Sequence, residues 1–215
     1  MSSPFIPALK YHFLTPIYDW FIALTLPEIT VKKQLIRQAN IKKAEKVLDY
    51  GCGTGTLLLL LEELHPECEA IGIEVDTQML KMAQRKVSEK NSSVQLQYYE
   101  GDRLPYETGT FDKVISSWVF QHLTTSQKIA SFREINRVLK PEGEFHMADW
   151  GKAQNALMRS LFFVVQMIDN FYTTDDNIQG RLPSLMQEAG FPKVQILHSQ
   201  STLFGTLSYF KAIKS

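Results

Sequence analysis

The segment Val47-Leu-Asp-Tyr-Gly-Cys-Gly-Thr-Gly-Thr56 constrains this chain more than any other. Lys46–Tyr50 is a short apolar run that reads as a buried strand, and glycines at 51, 53 and 55 follow it directly. Glycines there let the backbone take positive φ and come close to a ligand at the sheet's carboxyl edge. Thr56–Leu64 reads as a helix, so the segment is strand, turn and helix, the opening unit of a parallel sheet. Glu74 lies 23 residues after Gly51, at the end of a second strand, Ala70–Glu74, where an acid accepts hydrogen bonds from ribose hydroxyls. A P-loop is excluded, because no Gly-Lys-Ser/Thr follows. The spacing fits a dinucleotide enzyme too, although Thr56 stands where G-x-G-x-x-G would place its third glycine.

The remaining chain keeps this rhythm. Pro27-Glu-Ile opens a predicted helix through Ala39, with Lys32, Lys33 and Arg37 on its exposed side. Asp76 or Thr77 caps a helix to about Glu89. Val94–Tyr99 and Lys113–Ser117 are the third and fourth strands. Ser126–Leu139 places Ile129, Phe132, Ile135 and Val138 on one helical face, and Lys140-Pro-Glu-Gly ends it. Glu144–Ala148 is the fifth strand, Pro183–Ala189 a helix stopped by Gly190, and Val194–His198 with Leu203–Ala212 a closing strand pair. Strands alternating with helices predict an α/β fold with a doubly wound, parallel sheet.

Two regions depart from the rhythm. Residues 1–45 begin with prolines at 4, 7 and 16 among Phe5, Tyr11, Phe13, Tyr18 and Trp20, which forbid a long helix there. They are expected to form an aromatic arm and a helix over the cleft, leaving 46–215 as the main domain with a helical insertion at about 152–180. Within the insertion, 156–168 is apolar almost all round. Core is the default for such a stripe; the alternatives are the wall of an apolar acceptor pocket or a dimer face.

Composition narrows the function classes. Lys+Arg and Asp+Glu number 23 each, so the net charge is zero, whereas nucleic-acid enzymes usually carry a basic excess that neutralises phosphates. The two cysteines, Cys52 and Cys68, match no metal or redox spacing and fit a reducing interior, and no metal site is expected. No charged n-region precedes an apolar h-region, and the longest apolar runs, Leu57–Leu61 and Leu161–Val165, fall short of a bilayer span. A cytoplasmic protein, monomer or homodimer, without a membrane span, is expected.

Beyond these readings the motifs resemble a family. Asp49-Tyr-Gly-Cys-Gly-Thr-Gly is similar to the first motif of the class I S-adenosylmethionine-dependent methyltransferases, and Gly72-Ile-Glu-Val-Asp-Thr-Gln-Met-Leu80 to their second. Glu100-Gly-Asp-Arg-Leu-Pro-Tyr106 with Phe111-Asp112, Ser116-Ser-Trp-Val-Phe-Gln-His-Leu123 and Arg137-Val-Leu-Lys-Pro-Glu-Gly143 resemble the three that follow. The match runs from about 46 to 150, with an echo at Ala189-Gly-Phe191, and resembles most the branch that includes ubiquinone and menaquinone methyltransferases. Glu142 departs from a position that commonly carries glycine, which bears on a turn and not on chemistry.

The resemblance implies a seven-stranded, mostly parallel sheet with an antiparallel C-terminal strand, and S-adenosyl-L-methionine as cofactor. It assigns Asp49, Gly51, Gly53 and Gly55 to the cofactor loop, Glu74 with Val75 beside it to the ribose, Asp102 and Arg103 to the adenine end, and Ser117 and Trp118 to the methionine end. Tyr18 of the arm is a further contact, or simple packing. The donor is already activated, so proximity and alignment can supply most of the acceleration. His122 is either an acceptor-facing group or a helix-start residue; Asp149 is either an acceptor contact or a cap. His146 reads as a core or face residue. The implied reaction is methyl transfer to a small, partly apolar metabolite. A nucleic-acid or protein methyltransferase, a non-catalytic cofactor-binding regulator and, more distantly, a nicotinamide oxidoreductase remain the alternatives.

Overall fold

The computed structural model describes residues 28–101, 103–152, 171–202 and 205–215. Their strands are β1 (Lys46–Tyr50), β2 (Glu69–Glu74), β3 (Gln95–Tyr98), β4 (Phe111–Ser117), β5 (Leu139–Gly151), β6 (Lys193–Ser201) and β7 (Thr206–Ile213). They form one seven-stranded sheet in the order β3-β2-β1-β4-β5-β7-β6. All neighbours are parallel except β7, which runs antiparallel to both β5 and β6. The chain therefore winds outward from β1 in one direction and from β4 in the other. Asp49 of β1 stands level with Gly72 of β2 and Ile115 of β4. A crevice opens outside the carboxyl ends of strands at such a reversal, and ligands of open α/β sheets bind there.

The helices are α1 (Glu28–Ala39), α2 (Thr56–Leu64), α3 (Thr77–Glu89), α4 (Thr125–Val138), α5 (Phe171–Ile178) and α6 (Leu182–Glu188), with a 3₁₀ turn at Phe120–His122. Local chemistry starts them where expected. The Asp76 side chain accepts from the amides of Gln78 and Met79 at the head of α3, and Thr124 with Gln127 forms a capping box on α4. Gly190, at φ 103°, follows α6 in the left-handed conformation that closes a helix. Alternate strand residues serve two cores. Val47, Ile115 and Ala148 join α1 and α2 through Val31, Leu35, Ile36 and Leu57. Leu48, Val114 and Met147 join α4 and α6 through Phe132, Ile135, Leu182 and Met186.

Two expectations are corrected. Lys32 is buried and Lys33 half-buried, with only Arg37 fully exposed among the three cations expected on the outer side of α1. Lys32, Leu35, Ile36 and Ala39 share the i, i+3, i+4, i+7 stripe, so the helix that buries its apolar face carries the lysine stem inward. In addition, α4 passes straight into β5, whose bounds include Lys140-Pro-Glu-Gly instead of being separated from the helix by it.

Glu142 takes φ 60° at an exposed position. A left-handed conformation costs a residue with a Cβ roughly 1–2 kcal/mol, which glycine avoids while losing some chain entropy. Glu142→Gly is therefore expected to stabilise the protein by about 1 kcal/mol. A higher urea midpoint at unchanged slope is the signature. An unchanged or lower midpoint would count against strain at this turn.

Candidate cofactor and active site

The loop after β1 is pinned to β2 by its own backbone. The amides of Gly51 and Cys52 both donate to the Ile73 carbonyl, at 3.0 and 2.9 Å, and Gly55 donates to Cys52 at 2.9 Å. Gly51, Gly53 and Gly55 all have positive φ, at 72°, 55° and 77°. A side chain at Gly51 would collide with Val119, its Cβ falling 2.5 Å from Cγ2, so this glycine lets the loop lie against the segment after β4. At Gly53 the same Cβ would meet nothing within 4 Å. Among the described residues, that face of the loop is open.

Glu74 ends β2 across from this opening. Its Oε2 accepts from the Gly53 amide at 2.8 Å, and Oε1 accepts from the amides of Val75 and Asp76 at 2.9 Å each. Three backbone donors fix the carboxylate in place; Oε1 is filled by its two, and Oε2, with one, keeps acceptor capacity.

Asp49 is different. It is 1% exposed, and neither carboxylate oxygen has a hydrogen-bond partner among the described residues. Burial pushes its carboxyl up to about 7; the Lys32 charge pulls it back and the Glu74 charge adds to the rise. A buried acid without donors is costly, and a cationic ligand group would relieve it. Tyr50, next in the strand, points to the other core, donating to Ser131 Oγ at 2.8 Å and accepting from the Tyr99 hydroxyl at 2.7 Å.

The edge of β4 supplies the other wall. Ser117 and Trp118 are half-buried. Trp118 is held at φ 54°, its amide donating to the Ala148 carbonyl at 3.0 Å. A bulky residue in the left-handed region is an outlier of the kind that surrounding structure must enforce. The 3₁₀ turn Phe120–His122 follows, anchored by Asp149: Oδ2 accepts from the Phe120 amide at 2.9 Å, and Oδ1 from the Trp150 amide at 2.8 Å and Asn177 Nδ2 at 3.0 Å. Burial raises the Asp149 carboxyl to about 6, against the pull of those backbone donors and of Lys128. The His122 ring is lowered to about 4, by burial first and the Lys128 charge second, so it is neutral at pH 7.

Lys128 itself is fully buried, donating to the Thr173 carbonyl at 2.6 Å and Asp176 Oδ2 at 3.1 Å, while Arg181 pairs with Asp176 Oδ1 at 2.6 Å. This charged cluster clamps α5 onto α4 directly behind the 3₁₀ turn. His146 is also buried, within 2.9 Å of Glu144 and 3.2 Å of Gln38, in keeping with a core or face residue.

The carboxyl edge thus brings together Asp49, Gly51, Gly53, Gly55, Glu74, Val75, Ser117, Trp118, His122 and Asp149. Arg103 is exposed on the β3–β4 connection, its charge reaching Glu134. Tyr18, Asp102, the arm over 1–27 and the apolar stretch 156–168 lie outside the described residues. Lys32, Asn177 and the Lys128–Asp176 pair were not anticipated. The signal for Lys32 was its place in the apolar stripe of α1; the others join segments far apart in sequence and leave no local pattern.

The chain is similar to known methyltransferases in sequence and fold. A methyltransferase domain model matches residues 47–143. A demethylmenaquinone methyltransferase from Symbiobacterium thermophilum is 31% identical over 135 residues, a match that spans 61% of this chain and about half, 53%, of that relative. A demethylmenaquinone methyltransferase from Listeria monocytogenes is 28% identical over 89% of this chain and 91% of its own length. Among solved structures, a SAM dependent methyltransferase from Aquifex aeolicus superposes with a TM-score of 0.67 at 18% identity, covering 92% of this chain and 98% of that one.

Proposed function

The chain belongs to the class I S-adenosylmethionine-dependent methyltransferases, and we propose that it passes a methyl group to a small, partly apolar metabolite by in-line displacement. The observation that carries this reading is the buried, unpartnered Asp49 beside an open glycine loop, with the fixed carboxylate of Glu74 opposite. The cofactor supplies a methyl group already activated on a sulfonium. Its nucleoside and amino-acid ends need the two kinds of acceptor present here. Glu74 takes the ribose hydroxyls, Asp49 takes the methionine ammonium, and Gly53, lacking a Cβ, lets the backbone approach both. Asp102 and Arg103 serve the adenine end, Ser117 and Trp118 the methionine end, and Tyr18 is a further cofactor contact.

On the acceptor side, Asp149 is a positioning residue. Both of its oxygens already accept protein donors, so it aligns the 3₁₀ turn instead of removing a proton. His122 on that turn is neutral; its Nε2 accepts from Gln121 Nε2 at 3.2 Å, so Nδ1 carries the hydrogen and donates to an oxygen of the acceptor. Alignment and exclusion of water then carry the rate. The choice of a small acceptor draws on the zero net charge and on the quinone chemistry in the relatives' names. Among the described residues no helix is long and apolar enough to cross a membrane.

A methyl-transfer assay tests the proposal. Purified protein, S-adenosylmethionine and a short-chain demethylnaphthoquinol should give a methylated product by mass spectrometry, alongside a panel of small phenols and amines. Label appearing only in added RNA or protein, with none in any small acceptor, would overturn the substrate class.

A further inference from the structure

The second turn of α1 carries a charge with no assigned purpose. Lys32 is 8% exposed, its stem lying in the apolar stripe of the helix with Leu35, Ile36 and Ala39. Among the described residues its ammonium has one hydrogen-bond partner, the Glu28 carboxylate one turn earlier, although an ammonium carries three donors. Glu28 is half exposed to solvent. A solvent-exposed i, i+4 partner binds weakly, so the contact exchanges readily for a better one.

The position of Lys32 gives it such an alternative. It lies in the buried stripe of α1, the helix that packs on the sheet over β4 and β5. Asp49 points to that same face of the sheet, alternating with Leu48 and Tyr50 of the other core and standing level with Ile115. Its charge reaches both Asp49 and Cys52. The open face at Gly53 and the unpaired carboxylate of Asp49 therefore share their surroundings with a buried cation that lacks a full set of acceptors. A buried anion and a buried cation on one face of the sheet, both short of hydrogen-bond partners among the described residues, complement an amino-acid zwitterion.

We infer that Lys32 is a cofactor-binding residue: its ammonium leaves Glu28 to pair with the α-carboxylate of the methionine moiety while Asp49 receives the α-ammonium. This rests on the cofactor reading above and adds a residue from outside the glycine motifs. It also gives α1 a functional role, since the helix then closes on the ligand through one of its own side chains. The exchange forms one buried, charge-assisted contact and gives up a solvent-exposed one.

Calorimetry on the full chain with two ligands tests it. S-Adenosylhomocysteine has the amino-acid end; 5′-methylthioadenosine has the same nucleoside and thioether without it. Lys32→Met should weaken S-adenosylhomocysteine about 10- to 100-fold and leave 5′-methylthioadenosine within about twofold, the scale of one lost charged hydrogen bond. Lys32→Arg should restore most of the loss, and Glu28→Gln should bind S-adenosylhomocysteine at least as tightly as wild type. Unchanged S-adenosylhomocysteine affinity in Lys32→Met overturns the inference. So does an equal loss for both ligands, which would mean that Lys32 only shapes the loop. Wild-type protein that binds neither ligand would remove the cofactor reading itself, a failure visible before any variant is made.

Discussion

Glu74→Ala is expected to weaken S-adenosylhomocysteine about a hundredfold, the upper scale of a charge-assisted hydrogen bond at roughly 1.5–3 kcal/mol from the ribose to the open site on Oε2. The magnitude follows from the preparation of the group. Three amides, those of Gly53, Val75 and Asp76, already hold the carboxylate, so no freedom remains to be lost when ribose hydroxyls arrive. Alanine removes the acceptors and also releases Gly53, the residue whose open side faces the ligand. Glu74→Gln separates these effects. It keeps one acceptor oxygen in place and loses the charge, so an intermediate loss of about tenfold is expected. Thermal unfolding should change little in either variant, because the amides it frees border the open cleft and can turn to water. Calorimetry showing wild-type affinity in Glu74→Ala would remove the ribose assignment. Affinity lost together with a large drop in melting temperature would place the residue in the fold rather than in the site.

What could be read from the sequence follows the range of the interactions involved. The strand, glycine turn and helix at 46–64 are set by neighbouring residues, and β1 and α2 fall where the pattern placed them. Caps are equally local, as Asp76 shows. The parallel order was legible from the alternation of elements, since each crossover must return beside its strand. Long-range features were not. The fifth strand is longer than its apolar run because β7 pairs along it from Glu144 to Gly151, an arrangement fixed by a partner some 60 residues later. Lys128 looks like one more surface cation of α4 until Asp176, 48 residues on, is brought against it. Lys32 was misplaced for a related reason: a lone cation was assigned to solvent by type, when its spacing put it in the buried stripe. Glu142 was noticed as a departure from glycine, and its φ of 60° gives that departure a physical cost.

Asp49→Asn should make the unliganded protein more stable at pH 8 and, at the same pH, a poorer binder of S-adenosylhomocysteine. Both effects come from one proton. Burial lifts the Asp49 carboxyl from its ordinary 3.8 to about 7 in the folded chain. Between those values the folded protein holds a proton that the unfolded chain has released, so stability falls as pH rises from about 4 to about 7 and is flat above. About three units correspond to a deficit on the order of 4 kcal/mol at pH 8, which asparagine does not suffer because it has no charge to bury. The gain in the variant should therefore shrink toward zero as the pH is lowered to about 4, the range where the wild-type carboxyl keeps its proton in both states. Asp149, also raised by burial, adds a slope of the same sign, but it is common to both proteins and cancels in the difference. Ligand binding inverts the preference. The methionine ammonium pairs with the charged carboxylate, so below about pH 7 binding must first expel the proton, and wild-type affinity should drop about tenfold per pH unit. Calorimetry at pH 6 in buffers of different ionisation enthalpy should register about one proton released by wild type and none by Asp49→Asn. At pH 8 the variant should bind about a hundredfold more weakly, having lost a buried ionic partner. Parallel pH profiles of affinity for the two proteins would show that the ammonium is held elsewhere, and would leave the burial of Asp49 without a ligand to explain it.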